Sequence, residues 1–250
     1  MRRSALAAFA AALLLTSAPP DALAGAPLAA TPAAADYGDY SQLFQRSAGQ
    51  YFADGRVAGQ WAWKPLSATE SEVAWGDPRS WPPSGGEHFI RDGDWLLLNG
   101  YADHQHGTFN TQRVTAEEIG DADCANRQPL PSNGGRQHYA RWTIPAQPYC
   151  LVATGVITVG ANGAKVNFRH EQIWYPPAPC TNSYLGARTC IRQHERWFDD
   201  KGTPFSLALE RDQYLAQDIG MAFRIHHTYS RGWAPGRPPW NAELRYHWRW

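Results

Sequence analysis

Alternating apolar and polar positions, punctuated by turn residues, run through most of the chain after residue 85. Such period-two patterns place successive side chains on opposite faces of a strand. HFIRDGDWLLLNG has the form of a hairpin, and GMAFRIHHTYS and ELRYHWRW read as the last two strands, joined by a Pro- and Gly-rich loop. Turns are predicted at four places: Asp92-Gly93, Asn99-Gly100, Asn162-Gly163 and Asp199 to Gly202.

Helical patterns are few. Apolar residues after Asp39, a candidate N-cap, continue to a Gly55 stop and predict one helix. Thr115 and Glu118 form a capping box that predicts a single further turn of helix. We therefore expect an all-β fold: an antiparallel β-sandwich or jelly roll of about ten strands with one or two short helices, with a closed β-barrel as the alternative.

The first segment has the features of a secretory signal peptide. Two arginines precede an apolar run from Ala5 to Leu15, and an A-x-A cleavage pattern ends at Ala24. We expect residues 1–24 to be removed on export, residues 25–36 to be a disordered Ala/Pro-rich leader, and residues 37–250 to form a single β-rich domain. The expected location is secreted or periplasmic, with the outer membrane as the second choice.

Four cysteines in an exported chain are expected to form disulfides. Three pairings are possible, and the shortest loops favour Cys124–Cys150 and Cys180–Cys190. The chain has no C-x-x-C pair, so no zinc site is predicted from its cysteines. His104 and His106 form one H-x-H, which leaves metal binding there an open question and gives no reason to expect a cofactor.

Charge and composition limit the kinds of binding partner that the sequence predicts. Lys plus Arg and Asp plus Glu both total 23, so net charge does not direct the protein to nucleic acid. No stretch after the signal approaches the roughly 20 apolar residues of a membrane helix. Arginine outnumbers lysine by 20 to 3. The planar guanidinium of arginine binds a carboxylate or sulfate through two hydrogen bonds, which the lysine ammonium cannot match. We expect a monomer with no transmembrane helix and no nucleic-acid partner.

The last two predicted strands carry the most distinctive face. Alternation assigns Leu244, Tyr246, Trp248 and Trp250 to the core side. If the two strands pair, their other faces adjoin as one basic patch with Glu243 at its edge. This patch is either an ordinary solvated sheet face or a binding surface for an anionic partner, which Trp233 and Trp240 would rim. The predicted basic patch consists of Arg224, His226, Arg245, His247 and Arg249.

A second candidate set lies on the strand KVNFRHEQIWY. His170 and Gln172 share a face with Phe168 and Trp174. A His and a Gln on an apolar face are usually hydrogen-bonded core groups. The alternative is that they line the concave side of a curved sheet, as polar groups do in ligand clefts.

These residues suggest three functional hypotheses. The first is an exported β-sandwich that binds an anionic polysaccharide, with depolymerisation as an open extension. Cleavage would make it a polysaccharide lyase or glycoside hydrolase, with His226, His247, His170 and Gln172 as candidate catalytic residues. The second is an outer-membrane β-barrel protein, since the chain ends on an alternating aromatic strand. The third is a non-catalytic secreted structural or interaction protein.

Overall fold

The structure is a computed structural model of the chain. It describes residues 35–75, 85–103, 111–112, 114–119, 130, 136–159, 164–201, 204–220, 222–231 and 238–249. The predicted signal peptide and most of the predicted leader lie outside these residues.

Sixteen strands and one short helix occupy the described part of the chain. Their bounds are β1 Ala35–Asp36, α1 Tyr37–Ser41, β2 Ser47–Ala53, β3 Arg56–Pro65, β4 Glu70–Trp75, β5 Gly85–Asp92, β6 Trp95–Asp103, β7 Thr111–Gln112, β8 Val114–Ile119, β9 Gln137–Arg141, β10 Thr143–Ile144, β11 Tyr149–Val159, β12 Ala164–Asn182, β13 Gly186–Asp199, β14 Ser206–Ala216, β15 Ala222–Ser230 and β16 Trp240–Arg249.

The strands form one large antiparallel sheet. Fourteen strands belong to it, in the order β7-β6-β5-β4-β3-β2-β16-β15-β14-β13-β12-β11-β8, with β9 paired to β6. The sheet curls until it is nearly closed, with β9 lying near β8 and β11. A separate two-stranded pair joins β1 to β10. The all-β antiparallel prediction is confirmed, and the architecture is consistent with a sandwich or a barrel.

The turn at Asp92-Gly93 is confirmed, and the hairpin expected at Asp199 to Gly202 forms, although Gly202 lies outside the described residues. β5 and β6 pair across Gly93, and β13 pairs with β14 across the segment after Asp199. β11 and β12 also form the predicted hairpin, although its turn lies outside the described residues. The turn at Asn99-Gly100 is wrong, because both residues lie within β6 beside a register shift.

Both helix predictions are largely wrong. Helix α1 is only five residues long, and its N-cap is Asp36, whose side chain accepts a hydrogen bond from the Gly38 backbone N–H. The rest of the predicted helix is strand β2, because Asp54 and Gly55 have positive φ and form a tight hairpin turn into β3. The capping-box segment is strand β8, which pairs with β11.

The predicted leader extends two residues too far. Ala35 and Asp36 form β1, which pairs with Thr143 and Ile144 of β10, and Ala35 packs against the core. The ordered domain therefore begins by Ala35, and Asp36 contributes a helix cap instead of belonging to a tether.

The β12–β13 hairpin is long and bent. A register shift lies between Tyr175 and Ala178, at Pro176 and Pro177, and bulges of this kind bend a strand. Beyond it, the Cys180–Cys190 disulfide joins the two strands, as predicted. At the tip, the Asn182 amide donates hydrogen bonds to the backbone carbonyls of Phe223 and Leu244. The tip is therefore fixed against the ends of β15 and β16.

The second predicted disulfide stays a prediction. Cys124 lies outside the described residues, so the pairing of Cys124 with Cys150 is not tested.

Candidate functional site

Strands β15 and β16 are antiparallel neighbours, as their sequence predicts. Arg224 lies opposite Glu243, and His226 lies opposite Asn241, with His226 Nδ1 2.8 Å from Asn241 Oδ1. Ile225 and Ala242, one position over, are buried. Arg224, His226 and Glu243 therefore share the outer face of the sheet.

The predicted five-residue basic patch is wrong beyond residue 244, because a bulge interrupts the alternation. Leu244 pairs with Tyr51, and Tyr246 pairs with the adjacent residue of β2, Gln50. The chain therefore advances two residues on β16 for one residue on β2, and Arg245 is the extra residue. His247 consequently lies opposite Gly49, on the inner face with Tyr51. Burial first, and the charge of Arg249 second, lower the pKa of His247.

The bulge also reverses the aromatic row. Leu244 is fully buried, but Tyr246 and Trp248 are 44% and 45% exposed. The prediction that all three pack inward is therefore wrong for the last two. Arg249 is exposed opposite Ser47, and Trp250 lies outside the described residues.

Arg245 is held by aromatic rings. Its guanidinium carbon lies 4.8 Å from the ring centroid of Phe52 and 5.2 Å from that of Tyr184. Tyr246 lies at 5.2 Å as well. Within the described residues, no carboxylate lies within 4 Å of the Arg245 side-chain nitrogens. Rings therefore orient this cation without neutralising it.

Phe52 and Tyr184, the two rings under Arg245, also line a groove of about 580 Å³. Three structural elements build it: the β2–β3 turn, the tip of the β12–β13 hairpin, and the start of β16. We call it the aromatic groove, and its lining residues are Phe52, Asp54, Gly55, Ser183, Tyr184, Pro238, Pro239, Trp240, Asn241 and Glu243.

Hydrogen bonds and ring contacts hold the walls of the aromatic groove together. The Glu243 carboxylate accepts from the Ser183 backbone N–H at 3.0 Å, which fastens the hairpin tip to β16. Phe52 and Tyr184 are in ring contact at 6.0 Å. Trp240 is half-buried and stacks on His227 at 4.5 Å. Of the two predicted rim tryptophans, Trp240 lines this groove and Trp233 lies outside the described residues.

Two exterior arginines on β12 and β13, Arg169 and Arg196, are neutralised. Arg169 lies 2.6 Å from Glu171, and Arg196 lies 3.2 Å from the same carboxylate. Arg224 differs from them, since its guanidinium lies 4.2 Å from the Tyr214 ring centroid and no carboxylate is within ion-pair distance in the described residues. Arg224 and Arg245 thus combine ring support with the absence of a carboxylate within 4 Å among the described residues.

His170 and Gln172 lie elsewhere, on the inner face of the sheet. They are 1% and 0% exposed. Gln137 Nε2 lies 2.6 Å from His170 Nδ1, and Gln193 Nε2 donates to Gln172 Oε1 at 2.6 Å. The expectation that these two residues are hydrogen-bonded core groups is confirmed, so they are not accessible to a polymer on the outer face.

An ion pair completes this interior cluster, and sequence reasoning missed it. Glu195 Oε2 accepts from Arg211 Nε at 2.7 Å, and His170 Nε2 lies 3.1 Å from Glu195 Oε1. Burial alone would raise the pKa of Glu195, but the charge of Arg211 and the contact with His170 hold that pKa well below its usual range. We call His170, Gln172, Gln193, Glu195, Arg211 and Gln213 the interior cluster.

The sequence did carry one signal for this pair. The dipeptides His170-Glu171 and His194-Glu195 each place His and Glu on opposite faces, since His170 and Glu195 are buried and Glu171 and His194 are not. The structure joins the inward members of the two dipeptides, His170 and Glu195, across adjacent strands. Alternation on β14 also assigns Arg211 and Gln213 to one face, and pairing with β13 brings them to Glu195 and Gln193.

A further carboxyl lies near the interior cluster. Burial raises the pKa of Glu87 to about 7, while the charge of Arg211 opposes and that of Glu195 adds to the shift. Burial also raises the pKa of Tyr139, whose hydroxyl donates to Gln193 Oε1 at 3.3 Å.

The four candidate catalytic side chains do not meet. His226 lies on the outer face of the sheet. His170 and Gln172 are buried on the inner face, on β12. His247 is also on the inner face, but on β16. The described residues contain no group of three or more His, Cys, Asp or Glu side chains that could hold a metal ion. His104 and His106 lie outside those residues.

Comparisons with protein-family models, curated proteins and solved structures give no match to this chain. In the part of the chain that the structure describes, no helix has the length and apolar character needed to cross a membrane.

Proposed function

We propose that the protein binds an acidic polysaccharide in the aromatic groove. The observation that carries this proposal is the position of Arg245, whose guanidinium is fixed by Phe52 and Tyr184 at the edge of the groove without a carboxylate partner among the described residues. A cation that is oriented in advance and left without a counter-ion is suited to a carboxylate or sulfate group.

The groove lining fits a sugar chain. Ligand sites combine apolar and aromatic walls with a few placed polar groups. Here Phe52, Tyr184 and Trp240 supply ring surface, while Asn241 and Ser183 supply groups that hydrogen-bond hydroxyls. Asp54 and Glu243 also line the groove, and their negative charges repel an acidic group. The acidic group of the ligand should therefore lie toward Arg245.

The proposal concerns binding and not cleavage. Eliminative cleavage needs a base and a carboxylate neutraliser at one reacting centre. The candidate base His226 is on the outer face, and Gln172 is buried on the inner face. A secreted binding protein therefore accounts for the geometry better than a lyase or a glycoside hydrolase.

Export is part of the same proposal. The Cys180–Cys190 disulfide supports an oxidising compartment, in which such bonds persist. The signal-like first segment supports the same location.

Calorimetric titration with acidic and neutral oligosaccharides tests the proposal. Wild-type protein should bind oligouronate or heparin fragments and prefer them to neutral glucan fragments. Arg245→Ala should weaken acidic binding about fivefold, the size expected for one exposed ionic contact, and Trp240→Ala should weaken both classes. Acidic binding should also fall as salt rises.

Arg91 provides the matched control. Its guanidinium also lies over a ring, at 4.0 Å from Trp142, but on strand β5 away from the groove. Arg91→Ala should bind like the wild type. Equal binding of acidic and neutral fragments, or an Arg245→Ala protein that binds acidic fragments as tightly as the wild type, would overturn the proposal.

A further inference from the structure

A continuous row of opposed residues crosses the outer face of five neighbouring strands and reaches a sixth. Direct cross-strand partners link Tyr175 to Arg192, Arg192 to Tyr214, and Tyr214 to Arg224. The same row continues from Arg224 to Glu243 and from Glu243 to Phe52. We call Tyr175, Arg192, Tyr214, Arg224, Glu243 and Phe52 the tyrosine–arginine row.

Ring contacts hold the arginines of this row in place. The Arg192 guanidinium lies 3.7 Å from the Tyr175 ring centroid, and that of Arg224 lies 4.2 Å from Tyr214. Neither arginine has a carboxylate within 4 Å among the described residues, in contrast to Arg196 on the same strand as Arg192. All four side chains are half-buried, so their outer surfaces remain accessible.

The row joins two grooves. Phe52 and Glu243 belong to the aromatic groove. Tyr175, Arg192 and Tyr214 line a second groove of about 420 Å³, formed where Pro176 and Pro177 bend the hairpin, which we call the proline groove. Arg224 lies between the two grooves in the row, so an extended ligand can occupy both grooves along one line.

The spacing of the cations indicates the shape of that ligand. Arg192 and Arg224 are two strand spacings apart, roughly 10 Å, and the whole row spans roughly 24 Å at about 4.8 Å per strand. Arg245, over Phe52, extends the series by a similar step. A repeat of two strands suits a linear sugar chain whose acidic groups face the protein at every second residue.

We propose that the tyrosine–arginine row and the proline groove extend the binding site, so that the ligand is a linear acidic polysaccharide lying across β12 to β16 and onto β2. This inference rests on the proposed function. Charge complementarity selects the occupant, because the two arginines of the row, and Arg245 beside it, have no carboxylate within 4 Å among the described residues, while the neighbouring Arg169 and Arg196 do.

Chain-length dependence tests the extension. Affinities of an acidic tetrasaccharide and an acidic octasaccharide are measured for the wild type, Arg192→Ala and the control Arg196→Ala, with melting curves to confirm folding. The octasaccharide should bind the wild type about fivefold to tenfold more tightly than the tetrasaccharide. Arg192→Ala should remove that advantage, whereas Arg196→Ala should keep it.

The other outcomes overturn separate statements. Equal affinity for both lengths, unchanged by Arg192→Ala, would overturn the extension and leave the aromatic groove as the whole site. Binding of neither length would overturn the proposed function and the extension together. Binding to vesicles of anionic phospholipid but to neither soluble oligosaccharide would show that a lipid surface, and not a polysaccharide, occupies the row.

Discussion

Arg224 lies directly opposite Glu243 in the sheet, yet its guanidinium packs over Tyr214 at 4.2 Å and makes no ion pair with that carboxylate. Glu243 instead accepts a hydrogen bond from the Ser183 backbone N–H. Opposed charges on adjacent strands usually pair. Here the carboxylate fastens the hairpin tip, and the arginine stays available to a ligand.

Glu243→Gln separates these two roles. A glutamine keeps the carbonyl oxygen that accepts from Ser183 but removes a negative charge from the aromatic groove. We expect affinity for acidic oligosaccharides to rise about twofold to fivefold at low salt, and affinity for neutral ones to stay constant. Reduced acidic binding would mean that the carboxylate contacts the ligand directly.

The interior ion pair should behave differently from the exterior pairs. The Glu195 and Arg211 side chains are 8% and 10% exposed, so Arg211→Met leaves a buried carboxylate without its main partner. We expect a loss of about 3–5 kcal/mol in the free energy of unfolding. Urea denaturation measures it.

Two further variants sharpen that experiment. Adding Glu195→Gln to Arg211→Met removes the unpaired charge and should recover much of the loss. Arg196→Met breaks only the more exposed pairs with Glu171 and Glu210 and should cost less than about 1 kcal/mol. Equal losses for Arg211→Met and Arg196→Met would contradict the buried position of the interior pair.

Glu87 should make stability depend on pH near neutrality. Its folded pKa of about 7 lies above the unfolded value of about 4.3. The neutral carboxyl therefore makes its full contribution to the free energy of unfolding below about pH 4, and that contribution is lost as the pH rises through 7. Glu87→Gln does not titrate. The free energy of unfolding of the variant should therefore exceed that of the wild type by about 3–4 kcal/mol above pH 8, at about 1.4 kcal/mol per pKa unit, and by little below pH 4.

Chemical denaturation at a series of pH values measures this difference. The pKa of Glu195 is held well below its usual range and that of Arg211 is raised, so both groups stay charged in both proteins across this pH range. A stability difference that is the same at every pH would show that Glu87 titrates normally in the folded protein.

The stability that the terminal strand contributes to the fold should come from Leu244 and not from its aromatic residues. Leu244 is fully buried, so Leu244→Ala should lower the free energy of unfolding by about 2–5 kcal/mol. Trp248 is 45% exposed, and Trp248→Ser should cost less than about 1 kcal/mol. Thermal melting of the two variants distinguishes them. A larger loss of stability for Trp248→Ser would show that the aromatic side chains of this strand face inward.

Much of the outer face could be predicted from alternation. The pairing of β15 with β16, and the common face of Arg224 and His226, follow from period two alone. The prediction failed at Arg245, because a bulge adds one residue without changing the polar pattern on either side of it. His247 and Trp248 therefore exchanged faces relative to the expected alternation.

Partners across strands were harder to predict than faces. The inward positions of His170 and Gln172 were visible in KVNFRHEQIWY, but contact between His170 and Glu195 depends on the register of β12 against β13. Register is set by turns and core packing along the whole hairpin. The tyrosine–arginine row requires five registers at once, so no single strand indicates it.

The first helix shows how local patterns compete. Apolar residues from Tyr40 to Tyr51 fit helical spacing, but Asp54-Gly55 is also a hairpin signal. The structure follows the hairpin, because β2 lies between β3 and β16 in the sheet.

Nuclear magnetic resonance of the arginine Nε–Hε groups tests the central claim most directly. Titration with an acidic octasaccharide should shift the resonances of Arg192, Arg224 and Arg245, and leave those of the carboxylate-paired Arg169 and Arg196 in place. Shifts that are absent, or that are equal for arginines with and without a carboxylate partner, would contradict binding along the tyrosine–arginine row.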